Sequence, residues 1–314
     1  MSLRQACGAP LFGAALCLAC LYAVPEARAD LAAITSQNAD ALTLVDTESL
    51  EIVASLPLPG KPAAVATEAG RDLILAVATD PAALHVFDLS GTARAVWPLP
   101  DGAFGVAIRP ESGTALVSVI TGFVAEIDPE SGRELSRWQT GAMPSGLAAE
   151  PGLIVVANRD ADSVTLISAG ETREVATGHH PFGVTLYEGR AFVTDVLSDQ
   201  VSVIDLAGAR VIARIPTGER PYAVAFAAGK GFVSNQYEAS LTVFDADSLE
   251  VLTSIATDDY PEGVAATADE SRILVANWFS DTVQVIDSQS LEVIARLEMP
   301  AGPRAFGRFI AAIP

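Results

Sequence analysis

The residues best equipped for chemistry are few and unevenly placed. Of three histidines, His179 and His180 are adjacent and His85 is remote. Imidazole is the side chain whose ordinary pKa lies nearest neutrality, so His180 beside Glu262 or Asp195 would make a competent general base. A second set suits binding rather than bond making. Arg220 and Arg304 fall in short Pro-containing segments, as do Phe182, Tyr222, Tyr260 and Glu262, and Trp278 lies in a segment of its own. Guanidinium groups recognise oxyanions and stack on aromatic faces, so this set points to an anionic or aromatic ligand. No nucleophile motif accompanies either set. Adjacent histidines on an extended chain project to opposite sides, which argues against joint ligation of one metal ion. The expectation is ligand-binding residues without catalytic residues, metal or other cofactor.

Composition narrows the partners. All three cysteines, Cys7, Cys17 and Cys20, precede residue 30, in a stretch that reads as an export signal. It has Arg4 as its early charge, an apolar run from Leu11 to Val24, and Ala27-Arg28-Ala29 as a cleavage signature. A signal peptide over 1–29 and a mature domain over 30–314 follow, with a periplasmic or secreted location; acylation at Cys20 is the alternative. The mature chain then lacks thiolate chemistry, disulfides and thioether-attached cofactors. Setting aside Arg4, Arg28 and Glu26 leaves 17 basic and 38 acidic side chains, a net charge of −21. With lysines only at 61 and 230, a nucleic-acid partner is excluded, and no later apolar run is long enough for a membrane span.

The elements that must position these residues emerge from a repeat. A β-rich run ending in Asp recurs at Asp46, Asp88, Asp128, Asp205, Asp245 and Asp287, with Ser168 in the fourth copy; the spacings are 42, 40, 40, 37, 40 and 42 residues. Each unit divides into four strand-like runs, shown by Val264-Ala265-Ala266, Arg272–Asn277, Thr282–Asp287 and Leu291–Leu297. Segments such as Asp287-Ser288-Gln289-Ser290 read as turns closed by the Asp carboxylate on the backbone two residues on, with Ser168 able to do the same. Seven such units predict an all-β fold, a seven-bladed β-propeller of four-stranded antiparallel blades. The first unit starts at a second strand, Leu31–Ser36, and Gly302–Gly307 aligns with segments that precede first strands. The C-terminal strand should therefore complete the N-terminal blade and close the ring.

Pro221–Ala225, Gly231–Asn235, Leu241–Asp245, Ile273–Asn277 and Thr282–Asp287 resemble the YVTN family of β-propeller repeats, found in many secreted prokaryotic proteins. The resemblance spans nearly all of the mature chain and is weakest in the third unit, where no Pro precedes Phe104-Gly105-Val106. It implies an exported propeller serving as binding scaffold, surface component or enzyme subunit.

In a four-stranded meander the loop leading into the first strand and the loop joining the second to the third share a face. Residues on that face include Lys61, Phe104, His180, Phe182, Arg220, Tyr222, Tyr260, Glu262 and Arg304, joined by Arg159, Gln236, Tyr237, Trp278 and Phe279 from the other loops. Propeller ligands bind where such loops converge on the channel mouth. The reading is a non-catalytic binding or scaffold protein for a protein or small ligand at that mouth. The alternatives are a cell-surface structural protein and, by similarity to quinoprotein amine dehydrogenase propellers, an enzyme or supporting subunit.

Overall fold

The computed structural model describes residues 30–312; the segment read as an export signal, Cys20 included, lies outside them. The described chain forms seven antiparallel sheets of four strands each, a seven-bladed β-propeller. The helical content among these residues is two three-residue turns, Ala69–Arg71 and Arg159–Ala161, and no helix there is long and apolar enough to cross a membrane.

Blade seven shows how the sequence builds a unit. Its strands are Pro261–Ala266, Arg272–Asn277, Thr282–Asp287 and Val293–Glu298. The second and third are buried on both faces between neighbouring blades, which is why they read as unbroken apolar runs. The fourth lies on the rim, where residues alternate between exposed and half-buried. Between blades five and six, Phe192 and Phe244 are wholly buried with Phe226 edge-on to both, and Phe232 is wholly buried between blades six and seven. Each such ring contributes about 1.5–3 kcal/mol of burial. Gly231 makes room for one of them, since a Cβ there would lie 2.0 Å from the Phe244 ring.

The turn aspartates act as expected. Asp287 Oδ1 accepts the amides of Gln289 and Ser290, and Asp46, Asp128 and Asp245 make equivalent bonds. Blade four departs from the expectation for Ser168. Its strands are joined by Ala169 and Gly170, both at positive φ, in a tight hairpin pairing Ser168 with Glu171. That shorter turn contributes to the 37-residue spacing.

Ring closure is realised by Ile310–Ala311, which pairs antiparallel with Leu31 and Ala32 to give blade one the strand order of a complete meander. The preceding tail is irregular rather than a full strand. Arg304 N donates to Thr35 O in blade one, while Phe306 O and Arg308 O accept amides of Val65 and Thr67 in blade two. The tail is thereby tied to both blades, with Phe309 wholly buried between them.

Candidate functional site

The first strands of blades two to seven all carry a register shift just after their opening residue, for example between Pro221 and Val224 and between Pro261 and Val264. That bulge aims the next side chain at the propeller axis. The seven equivalent residues around the ring are Ala63, Phe104, Ser145, Phe182, Tyr222, Glu262 and, on the closing tail, Arg304. One position on, small residues let neighbouring first strands approach: a Cβ on Gly183 would lie 2.3 Å from Tyr222 O, and one on Gly146 2.3 Å from Phe182 O. Hydroxyls on second strands fix this layer. Thr194 Oγ1 accepts Gly183 N–H and donates to Tyr222 O, and Ser234 Oγ donates to Glu262 O, at 2.8, 3.0 and 2.7 Å.

This inner layer closes the channel at the mouth face. Phe182 stands 4.3 Å from Tyr222 and 4.9 Å from Phe306, and Phe104 packs on both phenylalanines, with Phe182, Tyr222 and Phe306 no more than 5% exposed. The large rings thus plug one end. Beneath them the channel is hollow, a cavity of ≈ 500 Å³ lined by inner-strand residues such as Ala66, Val106, Gly146, Val224 and Val264 and reaching Thr67, Glu68 and Arg308 at the opposite face.

Above the rings lies a buried polar network. Arg304 donates to Tyr222 Oη at 2.6 Å and Gln37 Oε1 at 3.2 Å, and Gln236 donates to Glu262 Oε1 at 2.7 Å. Arg304 Nε and Glu262 Oε2 are 2.8 Å apart but misaligned: they form an ion pair without a linear hydrogen bond. Burial pushes the Glu262 carboxyl up despite Arg304 beside it, and burial likewise raises the Tyr222 phenol. Arg304 also lies over the Phe104 and Tyr222 rings, at 5.7 and 5.9 Å from their centroids.

Outside this network the mouth has two flanks. On blades six and seven, Tyr260 meets Tyr237, Trp278 and Phe279 at centroid distances of 5.5, 5.7 and 4.4 Å. Tyr237 and Phe279 are 61% and 62% exposed. The Tyr260 phenol is pushed up to about 12, by burial first and then by Tyr237. On blades four to six, Arg159 lies over Phe182 at 5.8 Å and Arg220 over Tyr237 at 5.6 Å, with half-buried His180 near both arginines.

The backbone of these loops is held by carboxylates on the preceding blade. Asp40, Asp162 and Asp199 accept the amides of Lys61, His180 and Arg220 at 2.8, 2.8 and 2.9 Å. Donor and acceptor residues alike adopt positive φ, His180 at 58° and Arg220 at 57°. Such strain in non-glycine residues persists only where surroundings enforce it.

Of the residues expected from sequence, Phe182, Tyr222, Glu262 and Arg304 form one contiguous layer, Tyr260 and Trp278 stand beside it, and His180 and Arg220 make the other flank. The general-base pairing does not form in the structure. Asp195 is engaged by Ser202 and Gln200, Glu262 by Gln236 and Arg304, and the carboxylate beside the histidines, Asp162, bonds the His179 ring. Two residues escaped the sequence reading of the site. Gln37 follows Ser36 as Gln236 follows Asn235, so the repeat register could have revealed it. Phe306 lies in the irregular tail, where that register fails.

Comparison with known proteins supports the fold. No protein-family model matches the chain, and no curated protein matches it. Among solved structures it is similar to a protein of unknown function from Desulfotomaculum acetoxidans DSM 771, with a TM-score of 0.76 and 16% identity over 91% of this chain and 100% of that one. It is also similar to Kuenenia stuttgartiensis hydrazine synthase, TM-score 0.71 and 17% identity over 83% and 92% of the two chains. A third is the dihydro-heme d1 dehydrogenase NirN, TM-score 0.64 and 17% identity over 91% and 77%. At such identities the likeness is one of fold.

Proposed function

We propose that this chain is an exported, non-catalytic binding protein that takes a ligand at the mouth face, over Tyr222, Glu262 and Arg304 and against Tyr260 and Trp278. The observation that carries the reading is the Trp278 indole. Its Nε1–H is buried yet has no acceptor among the described residues, and it sits between Tyr260 and the exposed Phe279. An unmet buried donor costs about 1–3 kcal/mol, and a ligand acceptor over this aromatic wall would satisfy it. The plug supports a shallow site rather than a pore. Glu262 and Arg304 are neutralised by each other, so they furnish fixed polar contacts without net charge.

The test is thermal-shift screening of the purified protein against small organic acids, amines, amino acids and sugars, with Trp278→Leu and Tyr260→Ala run in parallel. A compound that raises the midpoint of the native protein but of neither variant supports the site. A compound that stabilises all three equally places binding elsewhere.

A further inference from the structure

Arg159, His180 and Arg220 are brought together from three successive blades, in a chain whose acidic residues outnumber its basic ones two to one, 39 to 19. Neither Arg159 nor Arg220 makes a side-chain hydrogen bond or ion pair among the described residues, and both instead lie over aromatic rings, Phe182 and Tyr237. Arg159 Nε is buried and has no acceptor there. The backbones are fixed: Arg159 N–H donates to Met143 O, and the amides of His180 and Arg220 are held by Asp162 and Asp199. Three cationic or titratable groups are thus preorganised at one side of the mouth, and the aromatic wall of Tyr237, Tyr260 and Trp278 continues from them.

We infer that Arg159, His180 and Arg220 form an oxyanion subsite, so that the ligand of the mouth face is an organic anion whose apolar or aromatic body lies against the Tyr260 and Trp278 wall. The inference rests on the reading of that face as a binding site and adds the ligand's class. Guanidinium pairs bind carboxylate and phosphate groups through charge-assisted hydrogen bonds, and their partial desolvation over rings strengthens the attraction. The groups acting on the His180 ring are Arg159 and Arg220, which disfavour its protonation, and Asp160 and Asp162, which favour it; burial is the largest influence, and the outcome is a pKa below the ordinary 6.5. A bound anion would raise that pKa, so anion affinity must increase as pH falls toward the unliganded value.

The experiment is calorimetric or ligand-observed NMR titration of the full folded protein with phenylacetate, phenylphosphonate and the neutral phenylacetamide, at several pH values between 5 and 8. The expected result is that at least one anion binds tenfold or more tightly than the amide. Arg159→Gln and Arg220→Gln should each weaken the anion by about tenfold without affecting the amide, and His180→Gln should flatten the pH dependence of phenylacetate binding. Preference for phenylacetate or phenylphosphonate distinguishes a carboxylate ligand from a phosphoryl one. Acid and amide binding with equal affinity, both lost in Trp278→Leu, would overturn the anion subsite and leave the mouth face as the site. Anion binding that is indifferent to both the arginine variants and Trp278→Leu would overturn both, and the failure of both anions to bind at millimolar concentration would overturn the subsite.

Discussion

Arg304 donates a 2.6 Å hydrogen bond to the phenolic oxygen of Tyr222, joining the closing tail to blade six across the propeller mouth. The same guanidinium faces Glu262 at 2.8 Å, so one tail residue keeps a carboxylate that is 2% exposed from being an isolated buried charge. Removing one member of a buried pair is costlier than removing an uncharged partner, because the remaining charge is left unsolvated. Arg304→Met is expected to destabilise by about 3–5 kcal/mol, whereas Tyr222→Phe should lose about 1–3 kcal/mol. Urea denaturation of the two variants provides the ranking; equal losses would contradict the proposed division of roles.

Stability should depend on pH in two opposed ways. Asp128, Asp245 and Asp287 have carboxyls held below the ordinary value of 3.8, chiefly by the Ser131 hydroxyl, the Ser248 amide and the Ser290 amide respectively. A depressed folded pKa gives stability that is present above the ordinary value and lost as pH falls through the folded one. Glu262 is raised above its ordinary 4.5 by burial, so its contribution is complete below 4.5 and lost as pH rises through the higher folded value. Denaturation followed from pH 3 to 8 should show a steep acid limb that flattens when the three turn aspartates become asparagine. The advantage of native protein over Glu262→Gln should narrow as pH climbs above 4.5.

The architecture was legible because it is written seven times. Asp287 and its equivalents mark that turn in six of the seven blades, and the alignment of Leu31–Ser36 with second strands shows that the missing first strand must come from the other end. The plug was less legible. Ala63 and Ser145 are small at positions where Phe104, Phe182 and Tyr222 are large, and whether the rings meet across the axis depends on Phe306, which arrives from an irregular tail. The register of the repeat does place Glu262 and Arg304 at equivalent positions of adjacent blades, so their pairing could have been read from sequence. The Asp162 and Asp199 clamps could not, since they act between blades through backbone amides.

Gly183 carries a further expectation. A methyl group at this position would meet Tyr222 O at 2.3 Å and Thr194 Oγ1 at 3.2 Å, disturbing both the close approach of the first strands and the hydroxyl that orients Tyr222. Overpacking of this kind costs about 1–3 kcal/mol. Gly183→Ala should lower the melting midpoint and weaken binding at the mouth together, whereas Gly170→Ala, with nothing within 4 Å of the added carbon, should alter stability only through its backbone φ of 81° and leave binding unchanged. Paired melting and binding measurements on the two variants check this.

Ring closure makes the last residues disproportionately important. A chain ending at Pro303 loses Arg304, the wholly buried Phe309, the pairing of Ile310–Ala311 with Leu31 and Ala32, and the amide bonds from Val65 and Thr67 to the tail. Phe309→Ala alone should cost about 3–5 kcal/mol through the cavity it leaves, a large share of the roughly 5–15 kcal/mol that ordinarily holds a domain folded. The truncated chain should therefore melt far below the full-length protein, and below Phe309→Ala, because it also exposes the edge of Leu31–Ser36. A truncated chain melting at the full-length temperature would show that blade one holds without its innermost, first strand. If the ring closes as described, the loss should appear first as exchange of the amides of Ala33 and Val65, which donate to Phe309 O and Phe306 O, before global unfolding.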